Sequence, residues 1–326
     1  MNKVLVTGGA GYIGSHTVLA LNEAGYETVV YDNLSTGFEK SVLAPARFVR
    51  GDLEDTDKLK DLLARENISS IIHFAAHISV PESVEKPLDY YCNNSVNTIK
   101  LIRAALDYKV QEFIFSSTAA VYGIPDYTPV PETAPLQPIN PYGRSKLLSE
   151  MTLQDAGYAH PDFNYVILRY FNVAGADPEG RLGQSTPGAT HLIKTASKCA
   201  LGKQKQLSVF GTDFPTFDGS GVRDYIHVTD LADAHVQSLQ YLKQGNKSDV
   251  FNCGYGRGYS VRQIIDVVKQ ISGSDFPVLE TGRRQGDPGE LICDPGKIKR
   301  VLGWQPKLDD IGKIAASAYE WEKSID

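Results

Sequence analysis

The hydrophobic positions of this chain fall into short unbroken runs separated by stretches with helical spacing. Val4-Leu5-Val6 has no polar interruption, which suits a strand buried on both faces, and Ser15 to Ala24 follows with Val18, Leu19 and Leu21 at helical spacing. Thr28 to Tyr31 predicts a second strand, Ala46 to Arg50 a third, and Lys58 to Arg65 a helix on Leu59, Leu62 and Leu63. Ser70 to Phe74 predicts a fourth strand, running into the small residues Ala75 and Ala76 that let a ligand lie close. A helical stretch from Pro87 to Tyr108 and the strand Glu112 to Phe115, stopping at Ser116-Ser117-Thr118, continue the rhythm. Such alternation predicts an α/β fold on a doubly wound parallel sheet, whose ligands bind beyond the carboxyl ends of the strands. Asp32, Asp52, Ala75 and Thr118 all stand at such ends.

The pattern then changes. Six prolines lie between Gly123 and Pro141, which predicts an irregular loop over the site, and Pro141 suits the first turn of a new helix because its missing N–H would be unpaired there. Beyond the strand Tyr165 to Tyr170 the composition shifts to Gly, Pro and polar residues from Ala174 to Gly188, so a boundary is expected near residue 175. Residues 1–175 would form the first domain and 176–326 a smaller mixed α/β domain, with helical stretches at His191 to Leu201 and Asp230 to Leu242. Asn252 to Gly256 is expected to return to the sheet, so the two parts interleave, with a crossover near 224–256. There is no internal repeat or low-complexity tract.

Composition narrows the function. In 326 residues, 42% hydrophobic, acids and bases are intermixed to a net charge of −6 without a long like-charge block, which argues against a nucleic-acid surface and for small-molecule work. Met1-Asn2-Lys3 leads straight into a strand, and no stretch of ~18 apolar residues occurs, so a cytoplasmic protein without a membrane partner is expected. Cys92, Cys199, Cys253 and Cys293 form no C-x-x-C, so neither a metal site nor a redox pair is predicted.

The first strand runs into Gly8-Gly9-Ala10-Gly11-Tyr12-Ile13-Gly14, where Gly9-x-Gly11-x-x-Gly14 and Gly8-x-x-Gly11-x-x-Gly14 both fit a phosphate-binding turn at a helix N-terminus. A ligand-free tight turn is the plainer alternative. Asp32 lies near the ~20-residue spacing at which a carboxylate takes adenosine ribose hydroxyls, and it would repel a 2′-phosphate. With no Arg or Lys from Asn33 to Gly37, NAD is favoured over NADP, and Asp52 is placed to meet the adenine. Tyr142 and Lys146 are four apart, on one face of the predicted helix. The Lys146 ammonium and a positive nicotinamide ring would both favour the phenolate, letting Tyr142 remove a hydroxyl proton as hydride leaves the same carbon. The Thr118 hydroxyl would assist. Taken alone, Tyr-x-x-x-Lys is a common exposed helix pair.

Together these residues resemble the extended short-chain dehydrogenase/reductase family and, within it, the UDP-glucose (UDP-galactose) 4-epimerases, over nearly the whole chain. Thr7 to Gly14, Phe115 to Gly123, Tyr142 to Lys146, Leu168-Arg169-Tyr170-Phe171-Asn172 and Gly221-Val222-Arg223-Asp224-Tyr225-Ile226-His227-Val228 all look like epimerase motifs, the last two being far more specific than the glycine turn. The resemblance implies a Rossmann-type cofactor domain and tightly bound NAD. It places Gly8, Gly11, Tyr12, Ile13, Gly14, Asp32, Asn33, Asp52 and Leu53 at the cofactor, joined by Phe74, Ala75, Ala76, Asn93, Tyr142, Lys146 and Tyr170. Thr118, Tyr142 and Lys146 would be catalytic. Thr118, Tyr142, Asn172, His191, Leu192, Phe210, Arg223, Arg284, Asp287 and Leu291 match the UDP-sugar side, where two arginines can neutralise a pyrophosphate.

Three positions depart from the family pattern: Thr118 stands for a usual Ser, Ile78 for a frequent Lys near the cofactor phosphates, and His191 for a frequent Asn. The implied reaction is reversible inversion at C4 of UDP-glucose and UDP-galactose through a 4-keto sugar. UDP-N-acetylhexosamines or UDP-pentoses are the alternative substrates, and a non-catalytic NAD-binding protein is a further reading. A 4,6-dehydratase would need an acid pair where Ala119 and Ala120 stand. Leu291 falls where related epimerases carry a wall residue beside the sugar C2 substituent, which implies a preference for non-acetylated sugars. The resemblance also implies a homodimer paired through the helices at Pro87 to Tyr108 and Tyr142 to Ala156.

Overall fold

The computed structural model describes residues 3–284 and 286–325. The first six strands, β1 (Lys3–Thr7), β2 (Glu27–Asp32), β3 (Arg47–Arg50), β4 (Ser70–His73), β5 (Glu112–Ser116) and β6 (Asn164–Tyr170), lie parallel in one sheet. A seventh strand, Asp249–Cys253, adds beside β6, so the order is Asp249–Cys253, β6, β5, β4, β1, β2, β3. The protein is therefore α/β with a doubly wound, Rossmann-type parallel sheet. The apolar run in β1 explains its central place. Val4 and Val6 pack into one core layer with Val18, Leu21 and Ile114, while Leu5 packs into the opposite layer with Val29, Ile71 and Phe113. A strand covered on both faces needs apolar residues at consecutive positions rather than alternate ones.

The order reverses between β1 and β4, and the helix Tyr12–Glu23 starts at that point, packed against the later helix Val228–Lys243. The chain leaves the sheet after Tyr170 and returns at Asp249. Between and beyond these points it builds a second sheet from Asn172–Ala174, Val222–His227, Gly258–Ser260 and Glu290–Leu291, and a parallel pair from Leu207–Phe210 and Val278–Thr281. Buried Asp224 knits these parts. It accepts the backbone N–H groups of Tyr255 (3.0 Å), Gly256 (2.8 Å) and Cys293 (3.2 Å), which joins the chain's exit from the large sheet to two strands of the second sheet.

The helix expected over Pro87 to Tyr108 is interrupted. Pro87–Tyr90 and Asn97–Asp107 flank a wider π-helical turn, Tyr91–Val96, within which Asn94 and Ser95 turn inward to bond neighbouring segments. Such turns occur often at functional sites. The helices Val261–Ser272 and Ile311–Ser324 lie outside the elements expected from sequence; the first is opened by a capping box between Ser260 and Gln263. Among the described residues no helix is long and apolar enough to cross a membrane.

Candidate active site

The glycine turn is held by contacts that a side chain would destroy. Gly8 has φ +73°, and a Cβ there would lie 2.5 Å from Ala75 N; at Gly14 a Cβ would lie 2.2 Å from Gly8 O. At Gly11, the N-cap of the helix Tyr12–Glu23, a Cβ would meet only Gly8 O, at a tight 3.3 Å that needs a shift of a few tenths of an ångström, so packing within the protein demands this glycine only mildly. It leaves the helix N-terminus open to a close ligand such as a pyrophosphate. Asp32 ends β2 beside the turn and is 8% exposed. Its Oδ2 accepts Ala10 N–H at 3.0 Å and its Oδ1 accepts Leu34 N–H at 2.8 Å, which leaves a lone pair on each oxygen for ribose hydroxyls. Asn33 Nδ2 donates to Asp52 Oδ2 (2.8 Å), with buried Leu53 alongside, and Phe74, Ala75 and Ala76 follow β4, with Phe74 and Ala75 donating to Thr7 O. Tyr12 donates its hydroxyl to Gly175 O at 2.6 Å, so that group ties the helix to the second part of the chain; Ile13 packs on the core beside it. These features fit a dinucleotide.

Tyr142 and Lys146 sit on the helix Pro141–Ala159, whose start is set by Pro141 and by Asn140 Oδ1 accepting Gly143 N–H at 2.8 Å. Such a cap is worth about 1 kcal/mol. Gly143 lets the helix approach the turn after Thr118: a Cβ there would lie 2.7 Å from Ala120 O. Thr118 Oγ1 accepts Ala120 N–H at 3.1 Å and its hydroxyl faces the Tyr142 phenol, so its proton is available to donate. Lys146 Nζ lies 4.2 Å from the centre of the Phe115 ring. Tyr170 closes the group; its hydroxyl accepts from Ser116 Oγ at 3.1 Å.

Burial and then the neighbouring Tyr170 push the Tyr142 phenol well above its ordinary value, and the Thr118 hydroxyl opposes them only in part. Burial also drives Lys146 down to about 7, against the pull of Glu150. The physical reason is desolvation: both groups are over nine-tenths buried, and each is pushed toward its neutral form.

Sequence reading missed the polar framework behind these residues. Asn94 donates to His77 O and to Ser145 Oγ, both at 3.0 Å, and accepts from His77 N at 2.8 Å and from Asn93 Nδ2 at 3.0 Å. Ser95 and Ser149 add further bonds between the π turn and the Tyr142 helix. Glu150 and Arg169, 1% and 3% exposed, form a bidentate ion pair; breaking such a pair costs about 3–5 kcal/mol. The only signal in the sequence was a Glu four residues beyond Lys146 and an Arg inside an otherwise apolar strand.

Of the residues expected on the substrate side, Arg223 and Arg284 both face Asp287, and burial lowers the pKa of each below the ordinary arginine value. Neither makes an ion pair among the described residues, so their charge is left for an anionic ligand. Arg284 lies 3.6 Å over the Phe210 ring. Leu291 is in register with Arg223 and packs with Ala119 and Phe171; Asn172 opens the adjoining strand and is exposed. His191 precedes the helix Leu192–Ala200, and its Nδ1 is buried without a partner among the described residues. Ile78 is 52% exposed beyond β4.

The same arrangement is met in known proteins. Residues 4–254 match the NAD dependent epimerase/dehydratase family. A UDP-glucose 4-epimerase of Azospirillum brasilense is 50% identical over 99% of this chain and 93% of its own length. Among solved structures, UDP-glucose 4-epimerase from Brucella ovis in complex with NAD is 44% identical, with a TM-score of 0.95 over 98% of each chain. The UDP-Glc/GlcNAc 4-epimerase of Campylobacter jejuni is 50% identical, with a TM-score of 0.87 over 100% of each. With a glycine turn shaped for a dinucleotide at one end of the sheet and a Thr-Tyr-Lys cluster beside it, the chain belongs to the NAD dependent epimerase/dehydratase family.

Proposed function

We propose that this protein interconverts UDP-glucose and UDP-galactose by inversion at C4. The observation that carries the reading is the buried cluster of Thr118, Tyr142 and Lys146, in a chain that also offers the guanidinium groups of Arg223 and Arg284, neither in an ion pair among the described residues. Asp32, Asp52 and the Gly8 to Gly14 turn would hold NAD, with Asn93, Tyr142, Lys146 and Tyr170 on its nicotinamide side. When bound, NAD supplies a hydride acceptor and a positive ring charge beside the phenol. Tyr142 takes the proton of the sugar 4-hydroxyl and returns it, Thr118 donates to the same oxygen, and the Lys146 ammonium supports the phenolate. Arg223 and Arg284 hold the diphosphate, and Asn172, His191, Leu192, Phe210 and Asp287 bound the nucleotide, so the sugar can present its other face without leaving. Ala119 and Ala120 offer no acid for water elimination.

A cofactor lobe (1–175) and a substrate lobe (176–326), interleaved at 224–256, divide this work. The exposed apolar side chains Val96 and Ile99 on one helical segment and Leu148 and Met151 on its packed neighbour support a homodimer joined through these helices. A cytoplasmic location agrees with four free cysteines, three of them buried. UDP-glucose formed from UDP-galactose by the purified protein, without added NAD, is the expected result; no conversion of either nucleotide overturns the reading. The Campylobacter relative, a UDP-Glc/GlcNAc 4-epimerase, makes UDP-N-acetylglucosamine the second substrate to assay.

A further inference from the structure

Glu150 touches no reacting group, yet its carboxylate is where the halves of the reactive cluster meet. It lies on the Tyr142 helix, one turn beyond Lys146, and accepts from Ser117 Oγ, from Arg169 Nε at 3.1 Å on each oxygen, and from Arg169 Nη2 at 2.7 Å. Ser117 directly precedes Thr118, and Arg169 directly precedes Tyr170. Arg169 Nη1 donates on to Tyr122 Oη at 3.0 Å, at the end of the turn that Thr118 caps, and Tyr122 donates to Asn252 Oδ1 at 2.6 Å. A buried ion pair is weak evidence for stability, because apolar residues of similar volume often serve as well or better. Proton transfer, in contrast, needs its oxygens held within hydrogen-bond reach.

We propose that Glu150 is a positioning residue for the C4 inversion: through Ser117 it locks Thr118 to the Tyr142–Lys146 helix, and it keeps a negative charge one turn from the Lys146 ammonium. The inference rests on the function proposed above. The groups around Lys146 make the charge matter. Tyr142 shares its helix, Phe115 of β5 lies under its Nζ, Tyr90 and Tyr170 face Tyr142, Arg169 of β6 is paired with Glu150, and His73 of β4 is neutral through burial. Among the described residues Glu150 is the one that draws Lys146 up against burial.

Glu150→Gln keeps the shape and removes the charge. Lys146 then loses its proton at lower pH, so the alkaline limit of kcat should move down by about half a pH unit or more, and kcat at pH 8 should fall about threefold or more with KM for UDP-galactose within about twofold. Because Arg169 would be left buried and unpaired, Glu150→Gln/Arg169→Met is made alongside, and the same alkaline shift is expected. Ser117→Ala keeps the charge and cuts the lock, so kcat should fall several-fold with KM and the alkaline limit unchanged. A purely structural role would lower thermal stability and bound NAD without moving the alkaline limit. An unmoved limit in whichever Glu150 variant folds, or a normal kcat in Ser117→Ala, overturns the proposal; if neither Glu150 variant folds, Ser117→Ala decides it. A wild-type protein that does not convert UDP-galactose strikes the functional reading instead.

Discussion

Lys146 Nζ stands 4.2 Å from the centre of the Phe115 ring, on a side chain 3% exposed. The ring face offsets part of the desolvation, yet Lys146 is still driven down to about 7. A lysine with a depressed folded pKa carries its full cost below that value, and the cost shrinks as pH rises toward the ordinary 10.5. Lys146→Met should therefore match or exceed the wild type in thermal stability at pH 7 when free of nucleotide, with the margin narrowing by pH 9, while kcat falls at least ~10²-fold. A large loss of melting temperature at pH 7 would show that Lys146 is structural.

Tyr142→Phe removes the proposed proton acceptor while keeping the ring. Its kcat should fall ~10²–10⁴-fold with NAD still bound. Thr118→Ala should cost less, and Thr118→Ser should stay close to wild type because it keeps the hydroxyl that accepts from Ala120 N. Steady-state kinetics on the three variants check this, and a near-normal kcat for Tyr142→Phe contradicts the assignment.

NAD should copurify, because an enzyme that regenerates its cofactor each turnover need never release it. Gly11→Val should fold, since only Gly8 O lies close to its Cβ, and should lose the nucleotide. Gly8→Ala should fold poorly, given φ +73° and the 2.5 Å approach to Ala75 N. Nucleotide released on denaturation and the melting temperature separate the two; NADP or no nucleotide from wild type would refute the cofactor assignment.

Acid should destabilise the fold. His16, His227 and His235 are lowered to about 4 and His73 to about 3, all by burial first, against an ordinary 6.5. Between pH 6.5 and 4 the unfolded chain binds these protons and the native one does not, so stability is lost as pH falls through that window. Asp224, pushed up to about 6 by burial, acts the other way for one proton. Unfolding at pH 5 should take up roughly three protons from these groups, read as a lower urea midpoint at pH 5 than at pH 7. An equal or higher midpoint at pH 5 would contradict this.

Leu291, 9% exposed beside Ala119 and Phe171, should narrow the pocket without closing it. UDP-galactose is expected to be preferred over its N-acetyl form, modestly, since apolar bulk discriminates by about 1–3 kcal/mol. Leu291→Ser should move the kcat/KM ratio toward the acetylated sugar, and an unchanged ratio would show Leu291 to be core alone.

Much of the site could be read from the chain because its parts are local. The Gly8 to Gly14 turn, Asp32 at the end of β2 and the one-turn spacing of Tyr142 and Lys146 depend on short-range backbone geometry. The helix Val261–Ser272 is equally local, with Ile264, Ile265 and Val268 buried at helical spacing behind a Ser260–Gln263 capping box, a signal as short-range as the glycine turn.

The sequence by itself determined the parallel sheet, since a strand covered on both faces needs runs such as Val4 to Val6, and it marked the glycine turn and the residues proposed to carry the chemistry. The tertiary structure decided what those residues are worth. The neutral bias of Tyr142 and Lys146, the pairing of Glu150 with Arg169 and the seating of Asn252 against Tyr122 across 130 positions arise only when distant segments exclude water together. Local periodicity records which face of an element is apolar. The cost of burying a charge depends on every neighbour that closes over it, and no short stretch of sequence contains them.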